Sequence, residues 1–272
     1  QPDKTYFVFV RLRDSSGWGP WSASGHYFHT GGQLMNEPCY VGDPVGGQWP
    51  HSICYNPDLN QYLVAFPDSK PGQKVTVSYH VLNSNGESIM ENSLSHTMLG
   101  IHAAGVAYDS THREYLIAYC GWTSESWGEL WVQRVNASTG VPVPGSSAWL
   151  RSANRIGDHT LTLDASYSPT SDVYCIVWRE FNAPSNYEVY AARIRGGTGQ
   201  VLNLVELGDD QSNPCENPGV IYNPANDEFF IIYGVNSYVN GPYLCRDYYA
   251  RRMRASTGEL SGGSVPITNS SD

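Results

Sequence analysis

Charge is scarce in this sequence. Asp, Glu, Lys and Arg make up 15% of its 272 residues and leave a formal net charge of −10. A surface of that sign repels phosphate backbones, so nucleic acid is excluded as an expected partner. No apolar run approaches the roughly 18 residues of a membrane-spanning helix. The six cysteines (Cys39, Cys54, Cys120, Cys175, Cys215 and Cys245) contain no C-x-x-C pair, which argues against a zinc site. There is no G-x-S-x-G elbow, no P-loop and no H-E-x-x-H. No metal and no cofactor is expected, and no catalytic residue is assigned.

What is abundant tells the rest. The chain carries 27 Gly, 19 Tyr, 17 Pro and 8 Trp, and 40% of it is hydrophobic. That balance supports a sizeable core and favours strands joined by tight turns over helices. Gln1 opens the chain without a Met, as a processed chain would. An even cysteine count and N-x-S/T sequons at Asn136 and Asn269 add to an expectation of a secreted glycoprotein.

One phrase is written several times. "RVNASTGVP" (134–142), "RIRGGTGQV" (193–201) and "RMRASTGEL" (252–260) are variants of each other. A second set pairs a Tyr with a turn and an apolar run: "CYNPDLNQYLVAF" (54–66), "AYDSTHREYLIAY" (107–119), "SYSPTSDVYCIVW" (166–178) and "IYNPANDEFFIIY" (221–233). The glycines closing the first phrase, Gly32, Gly86, Gly140, Gly199 and Gly258, lie 54, 54, 59 and 59 residues apart. Repetition at that period signals an array of small modules.

Each module reads as four strands. Strand A ends in the repeated Tyr, and strand B is the short apolar run, with "YFVFV" (6–10) as its first copy. Strand C precedes the anchor Gly and strand D follows it, as in "GVPVPGSSAWL" (140–150). B-strand runs apolar on both faces demand cover on both sides. Five such sheets describe an all-β, five-bladed β-propeller, with an open β-solenoid as the rival. The single domain spans 1–272, with blades at about 1–45, 46–99, 100–157, 158–211 and 212–272. The first blade has no evident innermost strand, and that open edge would permit self-association.

A meander places the A–B and C–D turns on one rim and the B–C and D–A loops on the other. The loop rim varies between copies, so it is the candidate functional face. Its aromatic and polar residues suit a sugar, whose C–H face stacks on a ring while polar groups hold its hydroxyls. The candidate ligand contacts are Trp18, Trp21, Trp49, His51, His102, Trp122, Trp127, Arg179, Tyr187 and Tyr238. Trp131, Trp149 and Trp178 are expected in the core. His51, His102 and His159 precede strands A at unequal offsets, which argues against a shared metal site. Asp43, Glu125, Asp158, Glu180, Asp209 and Asp210 lie near the same rim, and no spacing singles out a catalytic pair.

Two further expectations concern architecture. A basic residue stands six places before each anchor Gly (His26, His80, Arg134, Arg193 and Arg252) and is expected to lock neighbouring blades. Cys215 and Cys245, placed before strands A and C of the last copy, are the expected disulfide.

The copies resemble the Y-N-P-x-x-x-E-Y-L-V-x-W … R-V-x-A-x-T-G repeats of secreted propeller proteins, carried here by residues 55–66, 108–119 with 134–140, and 222–233 with 252–258. The blade count also resembles tachylectin-2-type lectins, without their repeat wording. The resemblance implies an extracellular, carbohydrate-binding protein whose partners are glycans or polysaccharide. The alternatives are a carbohydrate-active enzyme, either a glycoside hydrolase or a polysaccharide lyase, and an extracellular assembly module.

Overall fold

The computed structural model describes residues 4–8, 11–14, 17–21, 26–30, 47–48, 51–69, 74–94, 98–124, 127–154, 163–182, 186–208, 215–238 and 244–268, the strands before residue 51 by backbone alone. No helix occurs among them. The first repeat contributes β1 (Lys4–Val8), β2 (Arg11–Asp14), β3 (Gly17–Trp21) and β4 (His26–Thr30), with β1 paired to β4 and β2 to β3.

The second repeat forms β5 (Gly47–Gln48), β6 (Ser52–Asn56), β7 (Gln61–Ser69), β8 (Thr76–Leu82) and β9 (Ser88–Leu94). Both β5 and β6 pair with β7, so two short strands share the innermost position of this sheet. The third repeat forms β10 (Gly100–Asp109), β11 (Glu114–Trp122), β12 (Trp127–Asn136) and β13 (Ala148–Asn154). The fourth forms β14 (Leu163–Ser168), β15 (Val173–Asn182), β16 (Asn186–Arg195) and β17 (Val201–Glu206). The fifth forms β18 (Cys215–Asn223), β19 (Glu228–Tyr238), β20 (Leu244–Arg254) and β21 (Val265–Pro266). Each is an antiparallel meander in chain order, here called sheets 2 to 5 after their repeats. Antiparallel pairing throughout rules out the solenoid. Four blade-like sheets are described, against the five expected.

The turns follow from local chemistry. After each A-strand Tyr comes Asn56, Asp109, Ser168 or Asn223, whose side-chain oxygen accepts a backbone N–H two or three residues on. Immediately before strand B, the chain turns left-handed at Asn60, Arg113, Asp172 and Asp227 (φ 50–55°). Asn and Asp tolerate that region; Arg113 is the uncommon occupant. The C–D turns use the anchor glycines, whose φ values of 82°, 64°, 76° and 80° explain the recurring Gly86, Gly140, Gly199 and Gly258.

The core lies between sheets. Leu63, Ala65, Tyr115 and Ile117 join sheets 2 and 3. Leu116, Ala118, Ile176 and Trp178 join sheets 3 and 4, and Cys175, Val177, Phe229 and Ile231 join sheets 4 and 5. Burying each large side chain of this kind contributes roughly 1.5–3 kcal/mol. Each sheet also pairs an A-strand Tyr with a B-strand ring: Tyr55–Tyr62, Tyr108–Tyr115, Tyr167–Tyr174 and Tyr222–Phe229, with centroids 4.8–5.8 Å apart.

Several expectations are corrected. Trp178 is in the core, but Trp149 is 52% exposed, because it sits on β13, the outermost strand of its sheet. Strand D of the third repeat starts at Ala148, later than the run "GVPVPGSSAWL" suggested. The Cys215–Cys245 disulfide does not suit the register. Cys215 stands opposite Val235 and Cys245 opposite Ser237, on the two strands flanking β19. An intervening strand separates their backbones by about 10 Å, whereas a disulfide needs Cα atoms roughly 4.4–6.8 Å apart. Cys54, Cys120 and Cys175 are free thiols in the sheets.

The basic residues before the anchor glycines brace their own sheets more than their neighbours. Arg134 bonds Glu114 at 2.6 Å, Arg252 lies 3.7 Å from Glu228, and His80 lies 3.1 Å from Ser88. Arg193 alone of these described four reaches the next sheet, donating to the Ser256 carbonyl at 2.6 Å. The reason is in the sequence: where sheets 3 and 5 have Glu114 and Glu228, sheet 4 has Val173. With no carboxylate at home, Arg193 bonds Asn203 and Ser256 instead.

Candidate functional site

The innermost strands β6, β10, β14 and β18 line an open-mouthed channel of about 500 Å³. Its wall includes Ile53, Tyr55, Tyr108, Asp164 and Ile221. Ile53, Tyr55 and Ile221 are 56%, 47% and 65% exposed, so the wall offers aliphatic and aromatic surface to a ligand.

Three residues before each A-strand Tyr stand Ser52, Gly105, Asp164 and Gly219. The polar members strap adjacent inner strands together. Val106 N–H donates to Ser52 Oγ at 3.2 Å, and Val220 N–H donates to Asp164 Oδ2 at 2.9 Å. The glycines give the room: a Cβ on Gly105 would stand 2.9 Å from the Leu163 carbonyl oxygen. Burial raises the Asp164 carboxyl above the ordinary carboxylate range, against the pull of N–H groups from Val220 and Ala165. The channel therefore holds an acid that keeps its proton more readily than a surface aspartate does.

The candidate residues of the loop rim fall elsewhere. His102 packs its ring on Trp122, with centroids 4.5 Å apart, at a bulge in β10. Arg179 is buried with its guanidinium 4.0 Å above the Tyr187 ring. His51 is exposed. Trp18 and Trp21 lie on β3, Trp127 begins β12 and Tyr238 ends β19, but their side chains are outside the described residues, as is Trp49. The structure thus brings together two pairs, one on sheet 3 and one on sheet 4, and none of these side chains lines the channel.

Of the rim carboxylates, Glu180 is fully buried and paired to Arg151 of sheet 3 through two contacts of 2.6 and 2.5 Å, with Trp178 Nε1 donating at 3.1 Å. It is a structural ion pair. Asp43, Glu125, Asp158, Asp209, Asp210 and His159 lie outside the described residues. Asn136 is exposed, its Oδ1 accepting the N–H groups of Ser138 and Thr139, while Asn269 is not described. Ser52 and Asp164 escaped the sequence reading. The signal was a polar residue at a fixed offset inside strand A, alternating with Gly.

One group of described residues has metal-ligand character. Asp109 Oδ2, His112 Nδ1 and Asp172 Oδ1 lie within 4.8 Å of one another. Their hydrogen bonds account for the arrangement. Tyr174 Oη donates to Asp109 at 3.1 Å, Tyr167 Oη to Asp172 at 2.8 Å, and His112 lies 2.9 Å from Asp109. At the next seam Ser168 and Ser171 take the same places and donate to Asp227 at 2.6 and 2.5 Å. The group is a seam between sheets.

No protein-family model matches the chain, and neither does any curated protein. Solved structures do. An α-L-arabinanase from Penicillium chrysogenum superposes with a TM-score of 0.59 at 12% identity, covering 82% of this chain and 67% of that one. An endo-1,5-α-L-arabinanase from Thermotoga petrophila gives a TM-score of 0.51 at 14% identity, over 98% of this chain and 73% of that one. At such identities the likeness establishes the fold. The chain is a β-propeller.

Proposed function

We propose that this propeller acts on a polysaccharide as a glycoside hydrolase, with the central channel as the place of cleavage and Asp164 as its general acid. The observation that carries this reading is the Asp164 carboxyl itself, raised by burial and set in a wall of exposed Tyr and Ile side chains. An acid that holds its proton to higher pH than a surface aspartate can give it to a glycosidic oxygen. The arabinanase likeness names the first substrate to try, an α-linked arabinan. An extracellular setting accompanies this reading, with Asn136 exposed for glycosylation.

A second reading is favoured by a specific observation. Glycoside hydrolysis generally uses two carboxyl groups, and among the described residues Asp164 is the sole carboxylate lining the channel. Glycan binding without turnover needs only the walls and a hydrogen-bonding group. The test is to incubate the chain with a panel of polysaccharides, linear 1,5-α-arabinan first, and to measure reducing ends beside equilibrium binding. Hydrolysis lost by roughly 10²–10⁴-fold in Asp164→Asn, with binding retained, supports the first reading. Binding without reducing ends supports the second, and neither response would sink both. We also infer a five-bladed ring, with the N-terminal repeat as its remaining blade.

A further inference from the structure

We propose that Trp131 and Trp149, on the two outer strands of sheet 3, form a second binding site for a neutral polysaccharide chain, apart from the channel. The inference rests on the polysaccharide reading above and adds a point of attachment to it. Trp131 on β12 stands opposite Trp149 on β13, and Glu129 stands opposite Ser152. The Leu130–Arg151 pair between them faces sheet 4, where Arg151 meets Glu180, so the two indoles, the carboxylate and the hydroxyl share the other face. Cross-strand partners stand about 5 Å apart at Cβ, which sets the rings side by side. None of the four residues lines the channel.

The rings are held by their edges. Trp131 Nε1 donates to Glu129 Oε2 at 2.8 Å, and Trp149 Nε1 donates to Ser152 Oγ at 3.2 Å. Trp131 packs on the core between sheets 2 and 3 and is half-buried, while Trp149 is 52% exposed. Held indoles offer apolar surface to the C–H face of a sugar with little left to order on binding. Glu129 has a second carboxylate oxygen and Ser152 a hydroxyl proton, a fitting acceptor and donor for sugar hydroxyls beside the rings. The Glu129 charge, on a chain of net charge −10, disfavours an acidic glycan, so the fitting ligand is neutral.

The pair is not part of the repeated module. Nine residues before the anchor glycines stand Val77, Trp131, Tyr190 and Tyr249. Val77 is buried opposite Leu94. Tyr190 is capped by the Arg151 guanidinium at 4.8 Å and bonds Glu206 across the strands at 3.3 Å. Tyr249 stacks on Tyr233 and stands opposite Pro266. Of these four sheets, sheet 3 alone puts an exposed aromatic ring on the outer strand at this place. Exposed apolar surface rimmed by polar groups marks a site of contact.

The experiment is affinity electrophoresis of the full chain in gels containing linear 1,5-α-arabinan or another neutral polysaccharide. Trp149→Thr keeps β propensity on an exposed strand. It should bind about tenfold or more weakly, with an unchanged melting temperature. Trp149→Phe should recover most of that affinity, and Asp164→Asn should bind as the wild type does. Equal retardation of wild type and Trp149→Thr overturns this inference alone and leaves the channel as the place of binding. So does a wild type that hydrolyses a short soluble arabino-oligosaccharide but is retarded by no polysaccharide. Equal affinities for the Thr and Phe variants also overturn it. A dimer that Trp149→Thr dissolves does the same, because the rings then serve a second copy of the chain. A wild type with neither retardation nor hydrolysis removes the polysaccharide reading and this site together.

Discussion

Along the turn rim the sheets are joined by the same side-chain positions at each seam, whereas towards the loop rim the Arg151–Glu180 ion pair carries that task between sheets 3 and 4. At the turn rim, the A-strand Tyr of sheets 3, 4 and 5 reaches the preceding turn: Tyr108 to Asp58 at 2.6 Å, Tyr167 to Thr111, and Tyr222 to Thr170 at 3.0 Å. In the other direction Asn56 Nδ2 donates to Tyr115 Oη at 3.0 Å and Tyr174 Oη donates to Asp109 at 3.1 Å. At the last seam sheet 5 has Phe229, which offers no hydroxyl, and Ser168 binds Asp227 directly. The difference teaches where the ring is fastened. Repeated polar bonds fix the turn end, so the loops opposite are free to diverge without loosening the sheets.

The largest test of this contrast is Arg151→Ala. Glu180 is fully buried, so losing its partner leaves an uncompensated charge, an effect expected at about 3–5 kcal/mol in urea denaturation. A loss below about 1 kcal/mol would show that the loop rim needs no such pair. Gly105→Ala comes next. Its Cβ meets the Leu163 carbonyl at 2.9 Å, and backbone cannot step aside, so about 1–3 kcal/mol should be lost.

Tyr174→Phe removes a donor from the buried Asp109, for an expected loss of about 1–2 kcal/mol. The reverse change, Phe229→Tyr, should be close to neutral in thermal denaturation, because Asp227 already has Ser168, Ser171 and Tyr222 as donors. If Phe229→Tyr stabilises as much as Tyr174→Phe destabilises, the seams are not equivalent alternatives.

The smallest effects are in pH dependence, where two carboxyls act with opposite sign. Burial pushes Asp227 up, but the hydroxyls of Ser168, Ser171 and Tyr222, with Arg193, outweigh it and hold the group below its ordinary value. It contributes stability above about pH 4 that is lost as pH falls through its depressed value. Asp164 is raised, so its contribution is present below about pH 4 and is lost as pH rises towards its elevated value. Asp227→Asn should flatten the acid limb of the stability curve, and Asp164→Asn should remove a decline just above it. Stability curves that shift in parallel would refute both assignments.

The repeat was legible because its causes are local. The positive φ at Gly140 and Gly258, the side-chain turn at Asn56 or Asp109, and the apolar runs of strand B each leave a mark in a few adjacent residues. Trp149 was misread for the opposite reason: its exposure depends on strand D being outermost, which no neighbour in sequence records. The Cys215–Cys245 pairing failed likewise, since loop proximity said nothing of the strand between them. Among loop-rim residues, aromatic composition suggested a site, yet His102 turned to Trp122 and Arg179 to Tyr187 within their own sheets.

By itself the sequence determined the module: its turns, its strand order, its four-stranded antiparallel form and the period at which it recurs. Those features rest on dihedral preference and side-chain alternation, which act over a few residues. Only the tertiary structure decided that Ser52 and Asp164 meet the N–H groups of the next inner strands, and that Asp164 lines the channel. Such contacts join residues 54 or 56 places apart, and they exist because packed sheets bring their innermost strands around one axis.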